Sequence, residues 1–316
     1  MHDLVDVIVP THNPNSWFRS CVESILRQSY RDLRLIIVDD GSSPAIEERM
    51  EKASYLRDDR CVLLRKEHGG VASARNLGLD VADARYVLFV DSDDVLHNSG
   101  VESLLGALHD PGSKADVAAG GWRDFGPAKR QRITHRPTPV YDDAYANFVH
   151  CGWVTGSIMH RNRPGTRFNT ARMPWEAHEF YLDYLAPGGR AVYVDSVIIN
   201  VRQHCASSRL TYAHNHFEPF QTGIFFADKK RDLKRGATIN LEREAALDAR
   251  IVSCIHALLR QNRLCEAESL FQIVNWGLVA EYRWVRPGSF AWFCRRLGFH
   301  VGARGFIAVN RLIGRA

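Results

Sequence analysis

The first third of the chain alternates short apolar runs with stretches in which apolar residues recur every three or four positions. VDVIVP (5–10), LRLIIVDD (33–40), CVLLR (61–65) and RYVLFV (85–90) are near-continuous aliphatic runs, the pattern of strands buried on both faces. Between the first two, SWFRSCVESILRQS (16–29) places Phe18, Cys21, Val22, Ile25 and Leu26 on one helical face. Residues 44–56 read as a helix with Pro44 in its first turn, and GGVASARNLGLDVA (69–82) as a helix opened by glycines. Buried strands separated by amphipathic helices predict an α/β fold whose mostly parallel central sheet is flanked by helices.

The middle is less regular. DVAAGGW (116–122), WVTGSIMHR (153–161) and GGRAVYVDSVIINVRQH (188–204) read as strands, PWEAHEFYLDYLA (174–186) as a helix, and 126–138 as a basic, Pro-containing loop. From Tyr212 the periodicity is helical, over 214–234, 241–261 and 264–281. The expected division is an α/β domain over 1–211, in halves 1–110 and 111–211, and a helical C-terminal extension over 212–316, basic at its end.

Composition adds limits. At 316 residues with 45% apolar and 24% charged positions, the chain can bury a sizeable core. No stretch approaches the roughly 20 apolar residues of a bilayer span, and the acidic start MHDLVD predicts no secretory leader. Seven cysteines, odd in number and without a C-x-x-C pair, argue against a disulfide framework or zinc knuckle and predict a reducing, cytoplasmic setting. Beyond Glu281 there is no acidic residue, while Arg283, Arg286, Arg295, Arg296, Arg304, Arg311 and Arg315 follow among Trp, Phe and Ile. That end reads either as a peripheral contact with the inner face of the membrane or as a solvated helix face covered by Arg stems. No aromatic-basic platform accompanies it, so nucleic acid is not an expected partner. The long helices after Tyr212 could pair in a homo-oligomer.

Two acidic clusters end predicted strands: Asp39-Asp40-Gly41 and Asp91-Ser92-Asp93-Asp94. In open α/β sheets, ligands bind beyond the carboxyl ends of the strands. An Asp-x-Asp there suits Mg²⁺ or Mn²⁺, which take oxygen ligands and typically bind through one or two carboxylates plus substrate phosphates. The plainer alternative is a turn whose aspartates cap the following helix, a role that fits Asp94.

In order along the chain, VIVPTHN (7–13), SILRQSYRDLRLIIVDDGS (24–42) and GGVASARNLGLDVADARYVLFVDSDD (69–94) resemble the family 2 glycosyltransferases, which have the GT-A fold. The resemblance covers about residues 5–110 and implies an inverting, metal-dependent hexosyl transfer from a UDP-sugar to a hydroxyl of a cell-surface glycan or lipid-linked acceptor. It implies that 1–110 is the nucleotide-binding half and 111–211 the acceptor half. Pro10, Thr11 and His12 then wall the base, Asp40 accepts from its N3–H, and Asp39 supports Asp40 or the ribose. Gly70 and Arg75 lie near the nucleotide, with a helix-surface salt bridge as the alternative for Arg75. Asp91 and Ser92 serve the nucleotide, and Asp91, Asp93 and His204 the metal, with Arg202 a candidate phosphate anchor.

Inverting transfer needs a general base. In the resembled family it is an aspartate of a Glu-Asp pair opening a helix, but MPWEAHEFYLDYL (173–185) pairs Glu176 with Ala177. Glu176 or Glu179 then serves as base, or the chain is a nucleotide-sugar- or glycan-binding module with impaired catalysis. Trp153, Trp175 and Tyr181 are candidates for stacking on an acceptor sugar or for the core. Sugar nucleotidyl transfer is disfavoured because VPTHNPNSW (9–17) lacks a Gly-rich basic phosphate loop.

Overall fold

The computed structural model describes residues 3–46, 48, 54–126, 133–171, 174–204, 218–281, 298–299 and 302–303. Most of the expected basic C-terminal end, residues 127–132 of loop 126–138 and part of helix 44–56 lie outside them. The chain divides into two units, one of residues 1–139, 153–185 and 189–214, the other of 140–152, 186–188 and 215–316.

In the first unit, strands β1 (Val5–Thr11), β2 (Leu33–Asp40), β3 (Cys61–Lys66) and β4 (Tyr86–Phe89) are the four apolar runs. They pair in parallel in the order β3-β2-β1-β4. Every residue of β1 is buried, as a mostly apolar run between two layers of helix requires, and its one carboxylate, Asp6, accepts from Arg34 at 2.8 Å. Helices α1 (Phe18–Leu26) and α2 (Val71–Val81) follow β1 and β3, and α1 buries the face its spacing marks out. Gly78 of α2 lies so close to β1 that a Cβ there would stand 2.5 Å from Ile8 Cγ2. Register gathers the strand ends: Thr11 is opposite Asp39, and Asp40 opposite Lys66.

The sheet continues through β5 (Val95–Leu96), β6 (Val117–Phe125), β7 (Thr134–His135), β8 (Ile158–Arg161) and β9 (Ala191–Arg202). Their order beyond β4 is β8-β6-β9-β5, with β7 on β6. The pairing turns antiparallel at β8 and is parallel again between β6 and β9. The expected strand 153–161 is shorter than its apolar pattern, because Thr155–Ser157 form a helical turn in which Gly156 approaches Ile199. Helix α3 (Gly100–His109) follows β5. Register slips between β6 and β9 at Gly120 and Gly121, where a Cβ on Gly120 would stand 2.2 Å from Ile198 Cγ1. This bulge carries the end of β9 back towards the turn after β4.

His160 of β8 is buried with its ring 5.5 Å from Phe89, 5.4 Å from Phe180 and 5.2 Å from Tyr184, and its Nδ1 has no hydrogen-bond partner. Burial, aided by the Arg163 cation, pushes its pKa from 6.5 down to about 3. The unfolded chain therefore takes a proton at this site below 6.5 that the folded chain refuses until about 3, and stability is lost as pH falls through that window. Replacing His160 with Phe is expected to flatten the fall in Tm between about pH 7 and 5; an unchanged slope would show that other groups set it.

The second unit is helical: α4 (Ala144–Cys151), α6 (Pro219–Arg235), α7 (Leu241–Arg260), α8 (Leu264–Phe271) and α9 (Trp276–Glu281), with α5 (Glu176–Leu185) belonging to the first unit. Asp143, Glu218 and Asn240 cap α4, α6 and α7 by accepting a backbone N–H. The sequence division at 211 misses that α4 packs with the C-terminal helices. Arg243 of α7 explains why, since it donates to Asp143 Oδ2 at 2.8 Å ahead of α4 and to the Ala186 carbonyl at 2.7 Å. The pattern over 264–281 is two helices, because the Asn275 N–H turns to Asp248 at 3.0 Å and leaves the ladder. No helix of the described residues is long and apolar enough to cross a membrane.

Candidate active site

The carboxyl ends of β1 to β4 carry three linked groups of side chains. The first centres on Asp40 at the end of β2. Its carboxylate accepts from Lys66 Nζ at 2.8 Å, Gly69 N–H at 2.9 Å and Gly70 N–H at 2.8 Å, and His68 Nδ1 stands 2.9 Å away. Burial pushes the Asp40 carboxyl up, but the Lys66 ammonium and the two glycine N–H groups outweigh it and hold it below the usual range. Gly70 precedes α2 at φ +86°, a left-handed conformation that suits glycine and aims its N–H at the carboxylate. His12 lies over His68, ring centroids 4.2 Å apart, with Nδ1 2.7 Å from the Asp40 carbonyl. Pro10 and Thr11 are buried, and the Thr11 hydroxyl has no partner. Asp39 is fully buried and accepts from the N–H of Ser42 and Ile46, which shapes the turn.

The second group runs from the turn after β4 into α5. Arg75 is only 3% exposed, which removes the expected alternative of a helix-surface pair. Its Nη2 donates to Asp91 Oδ1 at 2.9 Å and its Nη1 to Glu176 Oε1 at 3.2 Å. Glu176 is 8% exposed, and its second oxygen, Oε2, is buried without a hydrogen-bond partner. Burial raises the Glu176 pKa above the ordinary glutamate value; Arg75 offsets part of this and Asp91 adds to it. Glu179, one turn further along α5, is buried as well.

The third group joins that turn to the end of β9. Asp93 Oδ2 lies 3.1 Å from His204 Nε2, and the His204 ring packs on Trp17 at 4.9 Å. Burial and then the adjacent Asp91 carboxylate push the Asp93 pKa up, with His204 offsetting part. Asp94 does not cap a helix: its Oδ1 accepts the Arg202 N–H at 2.7 Å and ties β9 to the turn. Arg202 is engaged inside the protein, donating through Nε to the Asp93 carbonyl with its guanidinium 4.4 Å from the Phe125 ring. Ser92 sits at the tip of the turn, which is closed by Asp94 N–H to the Asp91 carbonyl at 3.1 Å. No cluster of three metal-ligating side chains occurs among the described residues. The paired Asp91 and Asp93 carboxylates still fit a hard divalent cation, since the Asp91 carboxylate raises the cost of charging Asp93 and the atoms both would offer are oxygens.

Trp153, Trp175 and Tyr181 are buried in the core and form no exposed stacking surface. Sequence reasoning overlooked Lys66, whose signal was its place at the end of β3 in register with Asp40, and Trp17, which carries His204.

The model of glycosyl transferase family 2 matches residues 6–180. The chain belongs to this family. Glycosyltransferase GlyG of Streptococcus pneumoniae serotype 4 is 36% identical over 183 residues, which is 54% of this chain and 54% of GlyG. The chain thus spans about half the length of that curated relative. Among solved structures, S. aureus TarS 1-349 in complex with UDP-GlcNAc superposes with a TM-score of 0.69 at 16% identity, covering 98% of this chain and 92% of that one. The mannosyltransferase PcManGT from Pyrobaculum calidifontis, in complex with GDP-Man and Mn2+, gives 0.50 at 20% identity, covering 99% and 88%. At these identities the likeness is one of fold, and the expected GT-A architecture is the fold observed.

Proposed function

We propose that this family 2 glycosyltransferase moves a sugar, with inversion, from a UDP-sugar to a hydroxyl of a cell-surface glycan or lipid-linked acceptor, with Mn²⁺ or Mg²⁺ bound. The observation that carries the reading is Glu176 Oε2, a buried carboxylate oxygen without a partner, in a network that reaches the Asp-x-Asp turn. It replaces the aspartate that Ala177 lacks. The Glu176 carboxylate takes the acceptor hydroxyl's proton on Oε2 as the acceptor oxygen attacks the anomeric carbon. The anomeric carbon's bond to the diphosphate breaks on the opposite face, and its electron pair leaves with the phosphate oxygen. Asp91 and Asp93 would hold the cation, which when bound supplies charge neutralisation to the departing diphosphate. The fold shared with TarS, crystallised with UDP-GlcNAc, supports a UDP donor. Asp40 accepts from Lys66, Gly69 and Gly70 with the His68 ring beside it, so a base N3–H competes with Lys66 for it.

Calorimetry with UDP and Mn²⁺, followed by a transfer panel of UDP- and GDP-sugars, tests the reading. Heat with UDP that disappears on chelation and in Asp93→Asn is the expected result. Absence of UDP heat, or turnover of GDP-sugars alone, would overturn the donor assignment.

A further inference from the structure

The buried arginine at position 75 was expected beside the nucleotide, yet both of its terminal nitrogens donate to carboxylates of the protein. Resting on the reading of Glu176 as the base, we infer that Arg75 is a positioning residue: it pins Glu176 Oε1 to the donor-side carboxylate Asp91, leaving Oε2 as the single atom that meets the acceptor proton.

Three segments meet at this guanidinium: α2 supplies Arg75, the turn after β4 supplies Asp91 and the first turn of α5 supplies Glu176. The two contacts span 16 and 101 positions of sequence, so the bridge forms only in the folded sheet. Its orientation is restrained from a third side by Phe168, whose ring centre lies 5.2 Å from the guanidinium carbon. Burial opposes the charge on Arg75, and the two carboxylates more than offset that opposition, so the cation stays in place between them. A planar fork can hold two carboxylates at fixed angles, whereas the point charge of a lysine cannot.

The consequence for Glu176 is geometric. A free glutamate side chain rotates about its terminal bond and offers either oxygen. With Oε1 held at 3.2 Å by Nη1, that rotation is stopped and Oε2 keeps one direction. Fixing a reacting atom in this way is where a displacement of about 1 Å costs on the order of a hundredfold in rate. Asp91 is the other end of the same fork, so the carboxylate facing the donor and the carboxylate facing the acceptor are set at one spacing by one residue.

The test is a double-mutant cycle in kcat, run beside calorimetry with UDP and Mn²⁺. Arg75→Lys is expected to lower kcat by about a hundredfold and to leave UDP affinity within about threefold of the parent. In a Glu176→Gln background the same change is expected to lower kcat by less than about threefold, because the atom it positions no longer accepts a proton. Losses that multiply in the double variant would overturn the inference, as would UDP binding weakened about tenfold or more by Arg75→Lys, which would make Arg75 a nucleotide ligand. Parent-level kcat in Glu176→Gln alone would overturn the base reading and this inference with it. Multiplying losses beside a crippled Glu176→Gln would overturn the inference alone. Should Arg75→Lys fail to fold, Glu176→Asp reads the same geometry: the shorter arm cannot keep both the contact and the position of the second oxygen. It is expected to lower kcat about a hundredfold at unchanged UDP affinity, and an unchanged kcat would overturn the inference.

Discussion

Glu176→Gln lowers kcat for sugar transfer by about 10²–10⁴-fold, the range a general base contributes, while the fold and UDP affinity hold. The amide keeps an oxygen that can accept from Arg75 at the position of Oε1, so the bridge to Asp91 survives and only proton acceptance is lost. The parent enzyme also carries a pH signature. Burial raises the Glu176 pKa above the ordinary 4.5, and the carboxylate must be ionised to act. Activity therefore rises with pH through a limb lying above 4.5, and that limb vanishes from the residual activity of the glutamine variant. Initial rates at saturating donor across the pH range, for both proteins, check the two expectations together. A glutamine variant with the parent rate and the parent limb would move the base elsewhere.

Lys230→Met destabilises the protein by on the order of 3–5 kcal/mol and lowers Tm by about 10 °C. Lys230 of α6 is buried and donates to Asp248 at 2.8 and 2.9 Å, to the Ile273 carbonyl at 3.1 Å, and lies 3.0 Å from Glu244. Asp248 of α7 is fully buried, and burial raises its pKa against the opposing pull of Lys230. Removing the ammonium leaves that carboxylate facing Glu244 with the Asn275 N–H still donating to it, and protonation is its way out. Thermal unfolding of Lys230→Met and of Lys230→Met with Asp248→Leu measures the effect. The double variant is expected to regain part of the loss, because a buried charge costs more unpaired than replaced. A single variant within about 1 kcal/mol of the parent would show that the pair contributes little to stability.

The sequence made the parallel half of the sheet legible because apolar runs and helical spacing are local properties. It marked Asp91 and Asp93 at a strand end for the same reason. Elsewhere burial or pairing decided between readings the sequence left open. Trp153, Trp175 and Tyr181 could serve as a stacking platform or as core, and all three are inside. Asp94 has the chemistry of a helix cap, but the long strand β9 returns beside it and offers the Arg202 N–H first. Asp39 and Asp40 are adjacent and identical, yet alternation along β2 turns one into its own turn and the other towards Lys66.

By itself, the order of residues determined the α/β alternation, the acidic strand ends and the missing aspartate at Ala177. The proposal that Glu176 stands in for that aspartate rests on the tertiary structure. Arg75 and Glu176 are 101 positions apart, and no local pattern relates them. They meet because parallel pairing brings α2 and the turn after β4 to one edge, and the packing of α5 there excludes water from the carboxylate. Exclusion from water raises the proton affinity of Glu176, and the fork of Arg75 gives it a direction.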